Sequence, residues 1–283
     1  MQFTRSRSYT LAISALLLLT LGSCTQLLSG VNLFQNFDGP PSASDLLSDV
    51  GPNGEVATAN AESFVNGVSE ALDSPQFTDG LSDSDRDRLG AALENVYNNG
   101  AVANDVVQNA ALAAGDVAID GTAAEQVINN VVDIAVDSNA DFNDPATLLT
   151  TLIPADVQND VAAITEILES LSTAGAAYMA LTPTLTDTDG DGEVDYPSGV
   201  NSGAVTQQAA ISILVNQLTT DNTVAMPPTP GTAVIAAAIA DGTLADGTAM
   251  LTFTGFDTQF TTATSQFSTI LEAGGLSGVF NSP

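Results

Sequence analysis

The chain has 283 residues with 4 Lys and Arg against 34 Asp and Glu, for a net charge of −30 and no histidine. A surface so poor in cations cannot displace counterions from phosphates, which excludes nucleic acid as a partner. Without His or Lys there is no neutral-pH imidazole base, Ser-His or Cys-His nucleophile, histidine metal site or Schiff base, so catalysis would have to rest on carboxylates alone.

The first element is a leader. Arg5 and Arg7 precede an apolar run from Leu11 to Leu21, which is too short to span a bilayer as a helix. Leu21-Gly22-Ser23-Cys24 follows and holds the only cysteine. The stretch resembles the lipobox of bacterial lipoproteins cleaved by signal peptidase II. That resemblance implies removal of residues 1–23, lipid attachment at Cys24 and a membrane partner reached through the lipid. Thr25 and Gln26 behind the cysteine, with no aspartate, are similar to Gram-negative signals for the outer membrane, facing periplasm or cell surface. An acylated Cys24 leaves no thiol for redox or disulfide chemistry, and Arg86 and Arg88 become the only side-chain cations of the mature chain.

Residues 24–54 carry the breakers Gly39-Pro40-Pro41 and Gly51-Pro52-Asn53-Gly54 and read as a tether. Leu27, Leu28, Leu33, Phe34 and Phe37 make it apolar enough for part of it to dock on the body or the lipid surface. Residues 55–283 then form one acidic helical domain. An apolar share of 44%, regularly spaced, sets this chain apart from a disordered polyanion. Acidity spread over the whole chain, with lysine absent throughout, points to a halophilic or marine setting where salt screens the self-repulsion.

The expected fold class is mainly α, a multi-helix bundle or irregular helical array. Leu89, Leu93 and Val96 step by four and three behind Ser82 and Asp85, which have capping-box spacing. Thr122 and Glu125 repeat that spacing ahead of Val127, Val131 and Ile134. Behind Pro154, the positions Val157, Val161, Ile164, Leu168 and Leu171 line one face of a long amphipathic helix. Ile211, Leu214, Val215 and Leu218 form another stripe, and Phe253, Phe256, Phe260, Ala263, Phe267 and Ile270 form the last. Asp105–Asp116 and Glu125–Asp137 look like a weak pair of repeats. Residues 222–231, with Pro227, Pro228 and Pro230, form a loop, and Met250–Phe253 is the one short strand candidate.

One motif carries chemistry. Asp187, Asp189, Asp191 and Asp195 occupy positions one, three, five and nine of a loop with Gly192 at six and the Glu193 carbonyl at seven. Ca²⁺ is a hard cation that takes six to eight oxygens, and alternate residues of a tightly turned loop can all reach it. The segment 187–198 is similar to EF-hand loops, dockerin modules and thrombospondin type 3 repeats. It departs from the EF-hand at position twelve, where Ser198 stands in place of a bidentate glutamate. Losing those two oxygens lowers the expected affinity to about 10⁻⁴ to 10⁻³ M. No second such loop occurs to form a pair, which suits a structural ion better than a sensor.

The sequence therefore reads as a membrane-anchored, non-catalytic envelope lipoprotein with a structural calcium site, acting as a binding or assembly component beside an envelope protein partner. A carrier of a small apolar ligand serving a transporter is the alternative, and a carboxylate-based hydrolase ranks last.

Overall fold

The computed structural model describes residues 41–136, 152–219, 231–241 and 266–275. The described residues are mainly α-helical with no strand beyond one isolated bridge, and the helices pack together as an array. In chain order the helices are α1 (Ala43–Leu46), α2 (Ala61–Leu72), α3 (Pro75–Thr78), α4 (Asp83–Tyr97) and α5 (Asn104–Ile119). They continue with α6 (Ala123–Val136), α7 (Val161–Leu181), α8 (Ser202–Thr219), α9 (Thr232–Ala240) and α10 (Gln266–Ala273).

Capping chemistry starts several of them. The Ser82 hydroxyl accepts the Asp85 amide at 3.2 Å, opening α4 as its spacing predicts. At α6 the Thr122 hydroxyl accepts the Ala124 amide at 3.2 Å, while Glu125 reaches past it to the Gly121 amide at 3.0 Å. The stripe behind Pro154 is divided. Asp160 accepts the amides of Ala162 and Ala163 at 3.0 and 3.2 Å, so α7 begins only at Val161. Val157 lies ahead of the helix in the turn, packed on the core, and Val161 is 40% exposed in the first turn. Ile164, Leu168 and Leu171 are buried as their spacing requires.

α5 is the hub. Every residue from Ala110 to Ile119 is buried, and two hydrophobic clusters meet on this helix. Ala110, Ala113 and Val117 face a cluster built with α2 and α4, whereas Leu112, Ala118 and Ile119 face one built around α7 and α8. Alanine and glycine make this possible, because small side chains let helices approach from both sides. A Cβ on Gly115 would overlap the Tyr178 ring, and one on Gly175 would overlap the Ser212 carbonyl of α8. α7 packs most extensively against α8 and then against α5. Fully buried leucines such as Leu89, Leu93, Leu168 and Leu171 each contribute about 1.5–3 kcal/mol of transfer free energy.

Residues 43–49 belong to the folded body: Leu47 is 4% exposed in the α2–α4 cluster. Ile211 and Val215 of the α8 stripe are buried. The expected leader, Cys24, the apolar residues from Leu27 to Phe37, the Met250–Phe253 strand candidate and Phe253, Phe256, Phe260 and Ala263 lie outside the described residues. Among the described residues no helix is long and apolar enough to cross a membrane.

Candidate metal site

Both ends of the loop between α7 and α8 are embedded in the core. α7 ends at Leu181 and tightens into a 3-10 turn, Thr182–Thr184, whose proline is tolerated in the first positions of a new turn. The Thr184 carbonyl accepts the Asn104 and Gln108 side-chain amides of α5 at 3.0 and 2.6 Å. Leu185 enters the larger cluster at 6% exposure. On the far side Tyr196 is 7% exposed, and its hydroxyl donates to the Ile270 carbonyl of α10 at 3.3 Å while accepting from Thr206 of α8 at 3.1 Å. Asn201 then caps α8 by accepting the Ala204 amide at 3.2 Å, which places the exit helix where the sequence motif anticipates it.

Between those anchors the chain closes on itself. Thr186 and Asp195 form an isolated antiparallel bridge, with the Asp195 amide donating to the Thr186 carbonyl at 3.0 Å. Gly190 and Gly192 adopt φ of 84° and 95°, the left-handed region where a side chain would be strained, so the glycine at position six has the turning role expected of it. Asp187 organises the turn, accepting the Gly190 amide at 2.6 Å on one oxygen and the Gly192 amide at 3.0 Å on the other. Asp189 accepts the Asp191 amide at 3.0 Å, and Asp191 accepts the Glu193 amide at 2.9 Å. Asp195 accepts both the amide and the hydroxyl of Thr188, at 2.7 and 2.6 Å. These two bonds favour its ionised form and hold its pKa below the usual carboxylate value.

Asp187, Asp189 and Asp195 each bring a carboxylate oxygen within 4.8 Å of the others. Two oxygens bound to an ion at about 2.4 Å can be no farther apart than that, so the three are spaced to share one cation. Asp191 is turned along the loop by its bond to the Glu193 amide, and the three-carboxylate group forms without it and without the Glu193 carboxylate. Ser198 is exposed in the turn that follows. The donors are all hard oxygens on an exposed rim, which suits a hard divalent cation that keeps several waters.

Two polar arrangements in the body escaped sequence reasoning. Arg86 of α4 turns its guanidinium onto the carbonyls of Val117, Asp120 (2.9 Å) and Thr78 (3.3 Å), covering the C-terminal end of α5 with positive charge. Burial lowers its pKa, an effect opposed by Asp120, Asp83 and Asp87. Asp116 of α5 lies within the core beside the Tyr178 hydroxyl and the Gln208 amide, yet its Oδ1 and that hydroxyl complete no hydrogen bond. Comparison with protein-family models, with curated proteins and with solved structures finds no match to this chain.

Proposed function

We propose that this chain is a lipid-anchored, non-catalytic envelope protein whose helical body carries one structural Ca²⁺ ion in the loop 187–198. The observation that carries the reading is the convergence of Asp187, Asp189 and Asp195 within 4.8 Å on a loop whose two ends are buried. A divalent ion there offsets carboxylate repulsion at the junction of α7 and α8 in a chain with almost no cations of its own. Asp191, the Glu193 carbonyl and water complete the oxygen shell that Ca²⁺ requires. The incomplete twelfth position, Ser198, gives a weak site suited to an outward-facing domain that meets calcium at high concentration. Cys24 supplies the anchor, and two or more acyl chains on it make attachment stable. The role is that of a binding or assembly component held at the membrane surface. Equilibrium dialysis tests the ion directly: wild type retains one Ca²⁺ per chain, and the Asp187→Asn, Asp189→Asn double variant retains none. Equal retention by both would rule out this loop as the site.

A further inference from the structure

The three Asn–Gly pairs of the chain, Asn53-Gly54, Asn66-Gly67 and Asn99-Gly100, all lie within the described residues. Such a pair can react with itself. Hydroxide removes the proton of the glycine amide, whose nitrogen then adds to the asparagine Cγ and closes a five-membered ring. The bond from Cγ to the side-chain nitrogen breaks, and that nitrogen takes a proton from water, leaves as ammonia and returns the hydroxide. Water next opens either carbonyl of the succinimide to give aspartate or isoaspartate, so the balance is one ammonia lost and one water gained. Glycine favours ring closure because it has no Cβ to obstruct the turn of its amide onto Cγ. The reaction needs an accessible glycine N–H with no acceptor of its own and a side-chain carbonyl polarised for attack.

The fold treats the three pairs differently. Gly67 is buried in the middle of α2, where its amide belongs to the helical ladder. Gly54 is buried as well, and its amide donates to the Gly51 carbonyl at 3.0 Å. The Asn53 side-chain nitrogen, which would have to leave, donates to Glu55 Oε1 at 2.8 Å and is held there by a charge-assisted bond. Asn99 stands in the turn between α4 and α5, and there these protections are missing. Gly100 is exposed, and its amide has no acceptor among the described residues. The Ala101 amide donates to Asn99 Oδ1 at 3.0 Å, which draws electron density from Cγ and meets the oxygen where negative charge gathers during attack. The turn itself does not require a glycine. Gly100 lies outside the left-handed region, and a Cβ built on it would meet nothing within 4 Å.

We propose that Asn99 is a site of spontaneous modification, where the chain passes through a succinimide to aspartate and isoaspartate while Asn53 and Asn66 persist. The change reaches the helical body. Asn99 Nδ2 donates to Thr58 Oγ1 at 3.2 Å, which ties this turn to the 3-10 turn leading into α2. Both products lose that donor and add a negative charge to a chain already at −30. Isoaspartate also routes the main chain through Cβ and Cγ, which breaks the turn closed by the Asn99 carbonyl and the Val102 amide at 2.9 Å. That turn sets the entry into α5, the helix on which both hydrophobic clusters meet.

Incubation of the full chain in mildly alkaline buffer, followed by peptide mapping with mass spectrometry, tests all three pairs in one sample. Product accumulates at Asn99 at least about tenfold faster than at Asn53 or Asn66, because only there can the amide reach Cγ unhindered. The rate at Asn99 rises with pH, since hydroxide takes the proton. Gly100→Ala keeps the wild-type melting temperature, its Cβ having open space, and slows the reaction at Asn99 by at least about tenfold. In denaturing urea the three pairs of the wild-type chain react at similar rates, because the protection of Asn53 and Asn66 resides in the fold. Equal rates at the three pairs of the folded chain, faster reaction at Asn53 or Asn66, no product at Asn99, or a Gly100→Ala variant that reacts like wild type would each overturn the assignment. So would a preference for Asn99 that persists in urea, since local sequence and not the fold would then set it.

Discussion

Replacing Asp116 by asparagine should stabilise the protein at neutral and alkaline pH and flatten its pH dependence. Asp116 is 4% exposed and sits where α5 meets α7 and α8. Burial is the largest cause of a pKa raised well above 3.8, and Asp120 and Asp73 add repulsion that contacts with Tyr178 and Gln208 only partly relieve. An acid with a folded pKa above its unfolded one holds its proton more tightly when folded. The folded state is therefore favoured at low pH and loses that advantage as pH climbs from 3.8 toward the folded value. Over that window one proton costs about 1.4 kcal/mol per pH unit. Asp120, pushed up to about 7 by burial and by Glu125 against the pull of Arg86, adds a slope of its own that ends near that pH. Ionisation of the exposed carboxylates lowers stability in both proteins alike, so the difference between the two curves reports Asp116 together with its repulsion of Asp120. Urea unfolding midpoints from pH 4 to 8, with m-values held in common, measure that difference. Parallel curves for wild type and Asp116→Asn, or a variant less stable at pH 8, would refute a protonated carboxyl in the core.

Arg86→Met keeps much of the aliphatic length but leaves the Val117, Asp120 and Thr78 carbonyls without their donor. We expect a loss of about 2–3 kcal/mol in urea unfolding, and a change under about 0.5 kcal/mol would show that water replaces the guanidinium at no cost. Cys24→Ser should move the protein from the membrane to the soluble fraction of a cell lysate. Retention of that variant in the membrane would show that attachment does not depend on the lipid.

What could be read in advance was whatever a single contiguous stretch encodes. Ser82 with Asp85 marks the start of α4 because a cap acts within one turn. The stripe Leu89, Leu93 and Val96 gives its buried face because helical spacing is local. The turn in the loop 187–198 is legible for the same reason, its carboxylates and turning glycines lying within a dozen residues. Errors arise where two local signals compete. Apolar spacing carries a helix from Val157 onward, but Asp160 captures the amides of Ala162 and Ala163 and starts it at Val161. Features made by juxtaposition leave no trace in spacing. Asp116 meets Tyr178 across a helix pair, and Arg86 reaches the far end of α5.

The central claim is the calcium ion proposed for the loop, and thermal unfolding in Ca²⁺ against Mg²⁺ at equal ionic strength tests it most directly. At free Ca²⁺ about tenfold above the dissociation constant, linkage contributes about 1.4 kcal/mol, which for a domain of this size raises the melting temperature by about 3–6 °C. We expect that shift in wild type, a smaller one with Mg²⁺, which demands tighter octahedral geometry, and no difference between the ions in Asp189→Ala. Equal shifts with both ions in wild type would contradict the account and leave screening of the acidic surface as the whole effect.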